Sequence, residues 1–281
     1  MKKNRNTLWI ALALLLGTSL AWAQTDVLMS HVDLGRTGQT LNEPTLTTQT
    51  VNSTSFGKVY SFPVDGYVYA QPLVKANLTI PGKGTFNTVF VATENDSLYA
   101  INAASGAILW QRTFLDTTNP NDYLPGATSV STVSSNDVSS DDIYPEIGIT
   151  GTPVIDPSTN ILFVSVATKE LVGSTTHFVQ RLHAINVGDG TDAAPSFLTG
   201  DTTDDNTNNT PIYMSGTGDG NVGGLVQFNA LHEADRPALS LVNGIVYEEW
   251  ASHGDVGPYH GWVVAWNVTN LSTKEIGRAH V

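Results

Sequence analysis

The chain has 281 residues, 26 acidic against 13 basic side chains, a formal net charge of −13 and no cysteine. An acidic balance without Lys/Arg clusters argues against nucleic acid or anionic membranes as partners, because phosphate contacts need such clusters. Without cysteine there are no disulfide staples and no thiol chemistry, so stability must come from packing, which a chain of this length can supply.

Residues 1–23 read as a secretory signal peptide. Lys2, Lys3 and Arg5 make a basic start, residues 8–16 an apolar run, and Ala21-Trp22-Ala23 a small-residue cleavage site. The apolar run falls short of the about 18 residues of a membrane anchor, and no later segment could span a bilayer. The mature chain is therefore expected to start at Gln24, to carry a net charge of −16 once those three cations are lost from −13, and to be exported to the periplasm or beyond. Residues 24–55, with Gly35, Gly38 and Pro44, read as an irregular lead-in packed over the first repeat. Residues 56–64 (FGKVYSFPV) alternate and predict a strand.

From there to residue 274 the chain repeats itself. Pro-led apolar runs open each unit: Gln71-Pro72-Leu73-Val74, Thr152-Pro153-Val154-Ile155 and Arg236-Pro237-Ala238-Leu239. A second β-rich run follows: Val89-Phe90-Val91, Leu162-Phe163-Val164 and Ile245-Val246-Tyr247. Each unit closes on an alternating strand that places Ala100, Ala184 and Ala265, 84 and 81 residues apart, before Asn102, Asn186 and Asn267. The units span about residues 69–114, 148–186 and 236–271. Such a unit cannot bury both of its faces alone, so the pattern predicts blades of a stacked or radial array. Polar insertions, residues 115–143 and 188–221, fall at matching points and are expected on one face, the usual binding face. Asp156-Pro157-Ser158-Thr159-Asn160 and Asn243-Gly244 supply turns. The last seven residues, 275–281, back-translate as GAG ATC GGA AGA GCA CAC GTC, which past its first base matches a common short-read sequencing adapter. The biological sequence is thus expected to stop near Lys274 and the protein to be truncated.

The stretch from Val89 through Leu98-Tyr99-Ala100-Ile101-Asn102-Ala103-Ala104-Ser105-Gly106 to Trp110 resembles the repeat of quinoprotein-type β-propellers. The second unit keeps the turn from Leu182 to Gly190 without the Trp, and in the third Trp266 lies inside the strand. The resemblance implies an all-β fold, an incomplete β-propeller of the quinoprotein type with about three blades, in which the Trp docks blade on blade. Dehydrogenases of this family bind pyrroloquinoline quinone with Ca²⁺. No positions here match their cofactor and metal residues one by one, and the adjacent-cysteine disulfide some of them carry cannot form.

Two groups of residues could carry chemistry. His253, Asp255, Tyr259 and His260, separated by Gly and Pro, could converge on a ligand, a sugar or a metal; the alternative is a loop whose polar groups satisfy its own backbone. Asp201, Asp204, Asp205 and Asp219 offer hard oxygen donors for a cation, although no Ca²⁺-loop spacing is present and a solvated acidic loop is the alternative. His183 reads as a packed strand histidine. The expected function is an exported, non-catalytic binding or assembly scaffold with a protein or carbohydrate partner. The alternatives are a quinone-dependent sugar or alcohol dehydrogenase with its cofactor residues mostly in a missing C-terminal part, and a carbohydrate-active propeller enzyme.

Overall fold

The computed structural model describes residues 25–41, 43, 45–202, 213–258 and 260–280. Their secondary structure is strand, turn and a single 3-10 turn. The first sheet is an antiparallel meander of β1 (Leu73–Ile80), β2 (Gly84–Ala92), β3 (Ser97–Asn102) and β4 (Ile108–Thr113). The first insertion contributes β5 (Ala127–Ser134) and β6 (Glu146–Ile147). The second meander follows as β7 (Val154–Asp156), β8 (Ile161–Val172), β9 (Thr175–Asn186) and β10 (Asp192–Asp201). Strand β8 is long enough to pair β7 along its first half and β5 along its second. A ribbon of β11 (Tyr213–Ser215) and β12 (Leu225–Gln227) leads to β13 (Glu233–Ala234). The third meander is β14 (Ser240–Val242), β15 (Ile245–Ser252), β16 (Gly261–Asn267) and β17 (Asn270–His280), with β13 on the far half of β15.

The repeated alanines occupy one structural position. Ala100 on β3 faces Phe90 on β2, Ala184 on β9 faces Phe163 on β8, and Ala265 on β16 faces Tyr247 on β15. A small residue opposite an aromatic one leaves room for the ring on a shared face, so the pairing fills volume without strain.

Successive sheets pack face to face. Leu162, Val164 and Ile185 of the second sheet join Phe90, Leu98 and Ala100 of the first in one buried cluster. Phe163, Leu182 and Ala184 join Val246, Trp262, Val264 and Trp266 of the third in another. Neighbouring residues of β8 thus point to opposite neighbours, as a strand's period of two requires. Both faces of this middle sheet are buried, which is why residues 161–164 read as an unbroken apolar run. The Pro-led starts lie side by side: Gln71 N–H donates to the Thr152 hydroxyl (2.9 Å) and Leu239 N–H to the Thr152 carbonyl (3.0 Å). Three four-stranded meanders stacked face to face, their first strands gathered together, make an incomplete β-propeller.

The lead-in runs further than the first repeat. Val27 bridges Val74, the Leu28 carbonyl accepts from Ile155 N–H (2.8 Å), and Arg36 donates to the Ala238 and Leu239 carbonyls and the Ser240 hydroxyl. It therefore crosses the starts of all three meanders. The alternating stretch 56–64 forms no strand. It pairs with none of the described strands, and a strand without a partner leaves its backbone groups to water. Phe62 instead packs edge-on against Tyr99, and the Tyr60 hydroxyl donates to the Ala103 carbonyl. Among the described residues no helix is long and apolar enough to cross a membrane.

Candidate functional site

Loops from three sheets meet at the β15–β16 connection. His253 begins the 3-10 turn His253–Asp255 and is 4% exposed. Its Nδ1 lies 3.2 Å from Asp142 Oδ1 in the first insertion, and Gly254 N–H donates to the other carboxylate oxygen. Gly254 adopts φ +56°, and a Cβ there would lie 2.8 Å from Ser140, so only glycine allows the loop this close. Burial would raise the Asp142 carboxyl, but the Ser140 hydrogen bond and the adjacent His253 hold it below its ordinary value.

At the other end of the same loop, His260 Nε2–H donates to the Asp219 carbonyl (2.9 Å) in the second insertion, and Pro258 lies against Gly220. Asp219 and His260 thereby share a pocket of about 370 Å³, completed by Thr202, Phe228, Asn229 and Pro258. Its lining is as polar as it is apolar, with Thr202, Asp219, Gln227, Asn229 and His260 set beside Val226, Phe228, Leu231 and Pro258, and such convergent polar groups are what orient a small ligand.

The sequence-selected residues are thus divided. His253 binds Asp142, while His260 joins Asp219. Asp255 is exposed at φ +53° in its turn. Asp201 is 6% exposed, and both of its carboxylate oxygens lie within 3.0 Å of His177 Nδ1. Tyr259, Asp204 and Asp205 lie outside the described residues.

A second polar cluster lies between the first and second sheets, and of its members only His183 stood out in the sequence, as a packed strand histidine. Arg112 on β4 donates through Nη2 to Asp122 Oδ1 of the first insertion (2.7 Å). The same nitrogen lies 2.9 Å from Asp192 Oδ1 at the start of β10, an ion pair off the hydrogen-bonding direction. Asn119 and Asn121 donate to the other Asp192 oxygen. His183 on β9 is 1% exposed, with Nδ1 3.7 Å from Asp122 Oδ1 and its ring 4.6 Å from that of Phe114. Burial pushes the Asp122 carboxyl up to about 6 against the pull of Arg112. Burial, then the charges of Arg112 and Arg181, hold the His183 imidazole well below its ordinary value, so it is neutral. Arg112, Asp122 and Asp192 form the wall of a cleft of about 570 Å³. The members come from separate elements at no motif spacing.

Ca²⁺ asks for six to eight oxygen donors. Among the described residues, Asp122, His183 and Asp192 are the one close-set trio of metal-capable side chains. A nitrogen donor and an arginine between the carboxylates do not fit that ion.

No family model and no curated protein matches the chain. Among solved structures it is similar to quinohemoprotein alcohol dehydrogenase ADHIIG from Pseudomonas putida HK5, at 11% identity over 75% of this chain and 31% of that one, with TM-score 0.37. It is similar to the quinohemoprotein alcohol dehydrogenase from Comamonas testosteroni at 10% identity over 75% and 30%, TM-score 0.37. It is also similar to BamB from Moraxella catarrhalis at 11% identity over 73% and 64%, TM-score 0.19. The chain spans less than a third of either dehydrogenase.

Proposed function

We propose that this chain is part of an exported, quinoprotein-like propeller that acts as a non-catalytic binding scaffold through its loop face. One observation supports the reading above others: the insertions of two successive repeats are anchored on the β15–β16 loop of the third, through Asp142–His253 and Asp219–His260. Loops held this way present a composite surface on a rigid β framework, the usual placement of recognition residues. The pocket of about 370 Å³ beside His260 suits a polar ligand the size of one sugar residue, or one side chain of a protein partner.

A glycan array probed with the labelled chain, followed by titration of any hit, tests this. His260→Ala is expected to weaken binding at least about tenfold by removing a pocket wall and the Asp219 anchor. Asp33→Asn, in the lead-in away from the pocket, should leave it unchanged. Binding that ignores His260→Ala would remove the pocket from the proposal. Saturable uptake of pyrroloquinoline quinone with Ca²⁺ would overturn the non-catalytic reading.

A further inference from the structure

Around the Arg112 guanidinium, several buried polar atoms have no hydrogen-bond partner: both ring nitrogens of His183, Oδ1 of Asp192 and Nε of Arg112 itself. Buried polar groups are nearly always partnered, so a group of orphans needs a physical reason. A neutral imidazole offers one lone pair, to a hydrogen-bond donor or to a metal, and two carboxylates stand beside this one. The donor atoms of Asp122, His183 and Asp192 all lie within 4.8 Å of one another.

We propose that Asp122, His183 and Asp192 form a binding site for a divalent metal of the zinc and cobalt class, with the Arg112 guanidinium as its built-in competitor. Arg112 Nη2, 2.7 and 2.9 Å from the two carboxylate oxygens, occupies the place between them that such an ion would take. The 3.7 Å between His183 Nδ1 and Asp122 Oδ1 is close to the about 3.4 Å that separates two ligands in a tetrahedron with metal bonds of about 2.1 Å. The imidazole nitrogen selects zinc or cobalt over calcium and magnesium, which prefer oxygen alone. Asp116 lies on the wall of the same cleft as Arg112, a second carboxylate within that cleft for a displaced guanidinium. Exchanging a monovalent cation for a divalent one also neutralises the net negative charge that two carboxylates and one arginine leave.

The test is titration of the purified, metal-free chain with Co²⁺, followed by its visible d–d absorption and by competition with Zn²⁺. Saturable, stoichiometric binding is expected. Asp192→Asn should weaken it at least about tenfold, and Arg112→Gln should tighten it by a similar factor, the scale on which neighbouring groups move metal affinity. Asp192 is partly exposed, so its variant keeps the core intact; circular dichroism and a thermal melt confirm folding of both. No cobalt absorption in either the parent chain or Arg112→Gln overturns the proposal, leaving an ion pair completed by water. Absorption indifferent to Asp192→Asn overturns it too, because the ion then sits elsewhere in the acidic loops.

Discussion

The indole N–H of Trp110 donates to the carbonyl of Val187 at 2.9 Å, joining the last strand of the first sheet to the turn between β9 and β10. The same turn places Gly190 at φ +76°, where a Cβ would lie 2.8 Å from Trp110 Cε3. The ring also packs 5.8 Å from Phe90, centroid to centroid. Two motif residues from successive repeats, the closing Trp of the first and the turn Gly of the second, are therefore the halves of one joint.

Breaking either half should loosen the stack. Trp110→Phe removes the N–H while keeping a ring, and is expected to destabilise the chain by about 1 kcal/mol. Gly190→Ala combines a left-handed backbone with a collision against the indole, so it should cost more than about 1 kcal/mol. Urea unfolding reads both. Midpoints unchanged in both variants would deny the joint any role in stability.

Stability should fall as pH rises through the neutral range. Burial pushes Glu233 and Glu248 up to about 8, Glu94 and Asp235 to about 7, and Asp122 to about 6. Each keeps its proton when folded at pH values where the unfolded chain, with ordinary carboxyls near 4, has lost it. Their contribution is complete below about pH 4 and is lost progressively as pH climbs to about 8. Carboxyls held low, such as Asp142 and Asp156, act in the opposite direction only below their ordinary range near 3.8. The melting temperature is thus expected to be highest in mildly acidic buffer. Glu248→Gln retains an acceptor for the Trp266 indole, so it should stabilise the chain at about pH 9 and do little at about pH 5. A melting temperature independent of pH across that interval would refute the assignment.

The Asp142–His253 contact should hold the first insertion in place. His253→Ala removes a buried partner of a carboxylate, an interaction of about 1.5–3 kcal/mol. Amide exchange across residues 136–143 should accelerate roughly ten- to hundredfold, with β8 and β9 little affected. Uniform acceleration along the whole chain would instead indicate a general loss of stability.

Much of the architecture is legible in the amino-acid sequence. Ala100, Ala184 and Ala265, the Pro-led runs before β1, β7 and β14, and the turn glycines each report a local backbone or packing need, and local needs recur wherever the unit recurs. The stretch 56–64 shows the limit of that logic: its alternation is strand-like, but a strand also needs a neighbour, and a pattern of side chains does not supply one. The lead-in likewise looked local to the first repeat, whereas Arg36 Nη2 finds its acceptors on β14 and just before it, more than 200 residues away.

The amino-acid pattern alone settled the all-β class and the approximate blade count, because hydrophobic period and turn chemistry act over a few residues. The three-dimensional packing alone decided which polar groups meet. Asp142 and His253 are 111 residues apart, and Asn121 and Asp192 are 71 apart. Such pairs arise where an insertion of one repeat comes to rest on a loop or an insertion of another, and their geometry depends on how whole sheets stack. No spacing in the chain encodes it: His253 and His260, seven residues apart, are bound to different insertions, while Asp219 and His260 came from separate groups and share a pocket.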